Sequence, residues 1–138
     1  DNDTILLINS DILTNIDYED FFKFFKSKNA DMLVASIPYE VSLPYAVLKT
    51  DKSNDSIMSF QEKPTFTYYA NTGIYLMKKS VLSYIPKETI FNATDLMNTV
   101  IEEGGSLINY PLTKYWLDIG KHEDFEKAQR DISHIDFD

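Results

Sequence analysis

The sequence predicts a mixed α/β domain: a mostly parallel sheet with helices on its faces, plus an antiparallel hairpin region. Three observations lead there. The apolar run at residues 4–9, an amphipathic segment after Asp17 and a second apolar run at 32–37 follow in strand, helix, strand order. That is a βαβ unit, which builds parallel sheets with covering helices. Further on, two strand-like runs flank the turn-rich Asp51-Lys52-Ser53-Asn54-Asp55-Ser56, the pattern of a hairpin. Finally, 138 residues that are 43% hydrophobic and 14% aromatic suffice for a single domain, residues 1–138, with a real core.

Each element has its own warrant. Residues 4–9 are continuously apolar, as in a strand buried on both faces. Asp17 suits a helix N-cap, and Tyr18, Phe21, Phe22 and Phe25 follow at helical spacing as a core-facing aromatic stripe. Glu19 and Asp20 lie at that helix's start and Lys26 and Lys28 at its end, which suits the macrodipole. The strand at 32–37 stops at Pro38, and strands are expected at 45–50, 57–61 and 69–77. A short helix at 80–84 closes at Pro86. A longer one at 94–103 turns Leu96, Met97, Val100 and Ile101 inward and ends at Gly104. Short strands follow at 107–110 and 115–117. The last helix starts near His122, with Phe125, Ala128 and Ile132 as its apolar stripe and Glu123–Lys127 and Glu126–Arg130 as i,i+4 pairs.

Composition excludes several chemistries. The net charge of −9 argues against a nucleic-acid partner, which needs clustered Lys and Arg. There are no cysteines, so disulfides, Cys-ligated zinc and thiol catalysis are out, and two histidines make a histidine-rich metal site untenable. No apolar run approaches a membrane span and the first residues are not the basic start of a signal peptide, so no membrane partner and a cytoplasmic location are expected. The chain opens one turn before a strand, without an initiator Met. It is therefore expected to be a fragment lacking an N-terminal part, with an exposed sheet surface through which copies self-associate.

Two carboxylates sit at strand ends, where open α/β sheets bind ligands: Asp11 after residues 4–9, and Asp118 in Tyr115-Trp116-Leu117-Asp118-Ile119-Gly120. Together they could hold one Mg²⁺, although each alone reads equally as a turn-capping Asp. Glu62-Lys63-Pro64 ends another strand. Lys63 is a point-charge partner for phosphate and Glu62 an acceptor for sugar hydroxyls, or the two are a solvated charge pair. Gly73, in Asn71-Thr72-Gly73, marks a bulge or a close approach to the backbone.

In order, Leu6-Leu7-Ile8-Asn9-Ser10-Asp11-Ile12-Leu13-Thr14-Asn15, Pro44-Tyr45-Ala46-Val47-Leu48, Phe60-Gln61-Glu62-Lys63-Pro64, Asn71-Thr72-Gly73-Ile74-Tyr75 and Tyr115 to Gly120 resemble motifs of the sugar-1-phosphate nucleotidyltransferases. The likeness spans essentially the whole chain. Its nearest flavour is the mannose-1-phosphate guanylyltransferase-like branch, some of whose members carry a regulatory CBS-domain pair. The resemblance implies the C-terminal part of a Rossmann-like nucleotidyltransferase domain. It implies a reaction in which a sugar 1-phosphate attacks a nucleoside triphosphate, GTP in that branch, releasing pyrophosphate. It implies Asp11 and Asp118 as Mg²⁺ ligands, Lys63 on the sugar phosphate, Glu62 on sugar hydroxyls, and Ala46, Asn71 and Gly73 lining the sugar site. Asp11, Lys63 and Asp118 are the catalytic set.

The chain departs from the family pattern at Ser10 and Ala46, where the family carries glycine, and the family's Gly-rich triphosphate loop is absent from these residues. The fragment alone is therefore expected to be inactive. Two rivals stay open: a nucleotide-sugar-dependent glycosyltransferase, and a non-catalytic regulatory subunit with the same fold.

Overall fold

The computed structural model describes residues 3–137. The chain runs β1 (Thr4–Ile8), β2 (Ile12–Thr14), α1 (Tyr18–Lys28), β3 (Met32–Ser42), β4 (Val47–Thr50), β5 (Ile57–Gln61), β6 (Thr65–Lys78), a 3-10 segment (Lys79–Tyr84), α2 (Ala93–Glu102), β7 (Leu107–Pro111), β8 (Trp116–Asp118), α3 (His122–Asp131) and a last 3-10 turn (Ile132–His134). The fold is mixed α/β, as expected. A four-stranded sheet has the order β1-β6-β3-β7, and β2–β8 and β4–β5 form separate two-stranded ribbons. Strand β3 is parallel to β7, and β1 is antiparallel to β6. The residues divide into two compact units: one holds the described residues up to Ile37 and from Asn71 onward, the other Pro38–Ala70.

In the first unit, the two-residue period of the strands builds a core on each face of the sheet. Leu33, Ala35, Ile74 and Leu76 join Phe21 and Phe25 of α1 in one core. Their alternates Met32, Val34, Tyr75 and Met77 join Leu96 and Val100 of α2 in the other. Strands β3 and β6 are therefore the ones buried on both faces. Among the described residues β1 lies at the edge of this sheet, with Leu6, Leu7 and Ile8 about two-fifths exposed, in keeping with the exposed sheet surface expected of this chain.

Helix α1 starts as the sequence indicates, with the Asp17 carboxylate accepting from the Asp20 amide at 2.9 Å. It stops at Asn29, whose φ of 48° is the left-handed conformation that closes helices. Only part of its aromatic stripe is core. Phe21 and Phe25 are buried, whereas Tyr18 and Phe22 are exposed. They lie toward one edge of the stripe and line an apolar groove with Leu6 and Leu76. The Tyr110 hydroxyl of β7 donates to Asp20 at 2.6 Å and its ring packs edge-on against Phe21 and Phe24. Burial first, then that hydrogen bond, raises the Tyr110 phenol to about 12.

Other expectations shift in detail. Strand β3 continues through Pro38, at the point where it leaves the core and needs no buried amide donor. Ile101 of α2 is 59% exposed, and on α3 only Ala128 is buried, while Phe125 and, in the turn that follows the helix, Ile132 are exposed. Lys127 pairs with Asp131 and His122 with Glu126, in place of Glu123–Lys127 and Glu126–Arg130.

The second unit contains the expected hairpin, with Val47 opposite Gln61 and Leu48 opposite Phe60. Asp51 accepts from the Ser53 amide and hydroxyl, and Asn54 from those of Ser56, which shapes the connecting turn.

One carboxylate fastens three strands of the main sheet. Asp31 accepts from Lys78 Nζ and from the Ser106 amide, both at 2.8 Å, at the start of β3, the end of β6 and the approach to β7. The Lys78 hydrogen bond, then that of the Ser106 amide, holds its pKa below the ordinary 3.8. A depressed carboxylate contributes stability that is complete above its unfolded pKa and is lost as pH falls toward the folded value. Urea midpoints should therefore fall on acidification through the carboxylate range, and less steeply in Asp31→Asn. At neutral pH that variant should lose only about 1 kcal/mol, because the pair is partly solvated.

Candidate functional site

The tripeptide Asn71-Thr72-Gly73 lies within β6, and its hydrogen bonds leave the strand in three directions and fold back along it in a fourth. The buried Thr72 hydroxyl donates to the Ala35 carbonyl at 2.7 Å, tying β6 to β3. The Thr72 carbonyl accepts from the Trp116 indole N–H at 3.0 Å, which docks the β2–β8 ribbon on the sheet. The Gly73 carbonyl accepts from the Asn9 amide, extending the β1–β6 ladder by one residue. The Asn71 side chain accepts from the Gly73 amide and donates to the Tyr75 hydroxyl, both at 2.9 Å. Gly73 has φ of +77°, and a Cβ there would meet the Asn9 side chain at 2.5 Å. The glycine is thus needed both for its conformation and for the close approach of Asn9.

A cavity of about 360 Å³ opens beside this tripeptide, lined by Asn9, Asn71, Gly73 and Tyr75, by residues 92–94 at the start of α2, and by Trp116 and Asp118. It lies at the low end of the range for small-molecule sites and offers amide, hydroxyl, indole and carboxylate groups around one space. Asn92 and Asp95 form a capping box at that helix start, so the Asn92 backbone is fixed where it borders the cavity.

Asp118 belongs to the β2–β8 ribbon, in which it pairs with Ile12 and Trp116 pairs with Thr14. The Asp11 carbonyl accepts from the Ile119 amide at 2.7 Å, so the backbone at Asp11 lies beside that of β8 one position beyond Asp118. Asp118 borders the cavity and Asp11 does not. Among the described residues there is no cluster of three or more metal-ligating His, Cys, Asp or Glu side chains. Asp118 at the cavity offers the hard oxygen ligand that suits Mg²⁺, which commonly takes one or two carboxylates and completes its shell with water and substrate phosphate.

The cavity therefore unites Asn71, Gly73 and Asp118 of the sequence-predicted set. Ala46, Glu62 and Lys63 belong to the second unit, and all three are exposed. Glu62-Lys63-Pro64 forms the link from β5 to β6, with Lys63 at φ of 42° ahead of a buried Pro64. A left-handed lysine before proline is a strained conformation, of the kind that clusters at ligand sites. Sequence reasoning missed Asn9, Tyr75, Thr94 and Trp116. Two of them were within reach of the strand period: Tyr75 and Trp116 stand two residues from Gly73 and Asp118, hence on the same faces.

Residues 1–134 match the family described as Nucleotidyl transferase, and the chain belongs to that family. It is 30% identical over 138 residues to a UTP–glucose-1-phosphate uridylyltransferase from Synechocystis sp., covering 95% of this chain and 35% of that protein. It is 25% identical to a glucose-1-phosphate adenylyltransferase from Clostridium botulinum, covering 99% of this chain and 38% of that one. A Bacillus anthracis structure described as a glucose-1-phosphate thymidylyltransferase, solved with sucrose, superposes with a TM-score of 0.67 at 25% identity, over 99% of this chain and 57% of its own. HddC from Yersinia pseudotuberculosis shares the fold at a TM-score of 0.62 and 22% identity. The chain thus spans little more than a third of the curated relatives it matches.

Gly73→Ala should destabilise the protein by about 2–3 kcal/mol, from a side chain forced to positive φ and against Asn9. Chemical denaturation checks this. A change within a few tenths of a kcal/mol would mean that Asn9 moves aside at no cost.

Proposed function

We propose that this chain supplies the sugar-phosphate and metal-binding part of a sugar-1-phosphate nucleotidyltransferase, whose reaction joins a sugar 1-phosphate to a nucleoside triphosphate and releases pyrophosphate. The observation that carries the reading is the cavity bordered by Asn71, Gly73 and Asp118 in a chain of this family. A hexose ring has hydroxyls to satisfy on its rim and apolar C–H faces, and the cavity offers both amide groups and the Trp116 and Tyr75 rings.

In this reading Asn71 and the Gly73 backbone face the sugar, Glu62 accepts from its hydroxyls and Ala46 lies along it. Lys63 neutralises charge on the sugar phosphate. The attacking phosphate oxygen is already ionised at neutral pH, so no general base is required, and these residues act by aligning the reactants and compensating charge. Asp11 and Asp118 would hold Mg²⁺, which supplies Lewis-acid stabilisation of the triphosphate as charge develops. The Gly-rich triphosphate loop expected for the family is absent from the 138 residues, so the chain alone should bind sugar phosphate without completing transfer. The names of the relatives make glucose 1-phosphate the first substrate to test. They include uridylyl, adenylyl and thymidylyl transferases, so the guanylyl preference should be tested against UTP, ATP and dTTP.

Glucose 1-phosphate titrated into the protein should change the fluorescence of Trp116, the single tryptophan, and Asp118→Asn should abolish any enhancement of binding by Mg²⁺. No response to glucose 1-phosphate or mannose 1-phosphate would refute the sugar-phosphate reading. In a full-length enzyme, Lys63→Met should lower kcat/KM for the sugar phosphate by about a hundredfold, the loss of one charge-assisted contact, with much less change toward the triphosphate. Steady-state kinetics with each substrate varied separately checks this, and an unchanged sugar-phosphate efficiency would remove Lys63 from the site.

A further inference from the structure

The strand that carries Trp116 and Asp118 is only three residues long, at the short end of the range for strands, so its ladder with β2 supplies few hydrogen bonds. Its partner β2 is equally short. One end of the ribbon is fastened by the Asp11 carbonyl, which accepts from the Ile119 amide. The other end is fastened by a side chain. Asn15 Oδ1 accepts from the Tyr115 amide at 2.9 Å, while Asn15 Nδ2 donates to the Asp136 carbonyl at 2.6 Å. Beside it, the Thr14 hydroxyl donates to the Tyr115 carbonyl at 2.7 Å. The Tyr115 hydroxyl donates to Asp131 of α3, where Lys127 also binds. Burial, then the Asp131 hydrogen bond, raises the Tyr115 phenol above its ordinary value. Thus β2, β8 and the C-terminal segment converge on Asn15, which does not border the cavity.

We infer that Asn15 is a positioning residue: by holding the Tyr115 amide it sets where Trp116 and Asp118 stand at the cavity wall. The acceptor oxygen is the part that matters to the site, because it replaces the ladder bond that β2 would make if it ran one residue further. The donor to Asp136 secures the C-terminal segment. These two roles separate chemically. Asn15→Asp keeps the acceptor and loses the donor, whereas Asn15→Ala loses both.

The test uses the 138-residue protein and reads Trp116, whose indole reports the seat of β8 on Thr72. Asn15→Ala should shift Trp116 emission to the red and raise its quenching by acrylamide while far-UV circular dichroism stays unchanged. Its affinity for glucose 1-phosphate should fall by about tenfold, the factor expected for one lost hydrogen bond. Asn15→Asp should match the parent in emission and bind within about twofold, with any deficit confined to thermal stability. The inference is overturned if Asn15→Ala keeps the parent's emission and affinity and loses only melting temperature, or if Asn15→Asp is as impaired as Asn15→Ala. The affinity arm rests on the sugar-phosphate reading above; the emission arm does not. A parent that ignores glucose 1-phosphate would refute that reading alone, and the emission of the two variants would still decide the role of Asn15. Should Asn15→Ala fail to fold, Asn15→Asp decides by whether its emission follows the parent's.

Discussion

The structure depends on a break in the regularity of one strand. At Gly73 the backbone of β6 takes φ of +77°, impossible without strain for a residue with a side chain. That single departure frees the space in which the Asn9 side chain lies, and lets Asn71 fold its own amide oxygen back to the Gly73 N–H. The neighbouring Thr72 then serves β3 with its hydroxyl and Trp116 with its carbonyl. A regular strand would present two identical edges. This one presents a socket, and the cavity wall is assembled around it.

The proposed chemistry asks little of acid–base groups and much of placement. The cavity lining contains no histidine, and Asn71, Tyr75, Trp116 and Asn92 are held by hydrogen bonds. Preorganisation of this kind costs nothing when the ligand arrives, since the side chains have already lost their freedom on folding. In the other unit the long Lys63 side chain is projected from a backbone that is itself constrained by Pro64.

Much of the architecture was readable because it rests on patterns with a physical period. The span of β5 and the antiparallel turn after Thr50 follow from turn chemistry, and the Asp17 cap from helix ends. What escaped had no period to betray it. Strand β2 is three residues long and carries no recognisable alternation. The outer position of β1 is a matter of topology: its apolar run resembles that of β3, and only the insertion of β6 between them decides which strand is covered twice. On α1, helical spacing marks four aromatic residues as one stripe, yet the helix sits so that only Phe21 and Phe25 face the sheet. At the cavity, Gly73 was legible as a glycine inside a strand and Asp118 as a carboxylate at a strand end, whereas Asn71 came from the family resemblance. Asn9 and Thr94 were not legible, because nothing local distinguishes a polar residue that borders a cavity from one that borders solvent.

The pairing pattern also governs how the chain must fold. Thr4 meets Lys78, Met32 meets Leu107 and Ile12 meets Asp118, so the outer pairs of the main sheet and the β2–β8 ribbon close over very long stretches of sequence. Among the described residues the only strand pair formed by neighbours in sequence is β4 with β5, whose residues are almost all exposed and bury little apolar surface in return. The chain therefore gains early local order where it stabilises least, and must bear most of its loop-closure entropy before the paired cores of β3 and β6 repay it. Topologies of this sort fold slowly, on the order of milliseconds to seconds, and expose unpaired strands meanwhile. Strand β1, with no charged residue along its length and an outer place in the sheet, is one segment open to wrong partners during that interval.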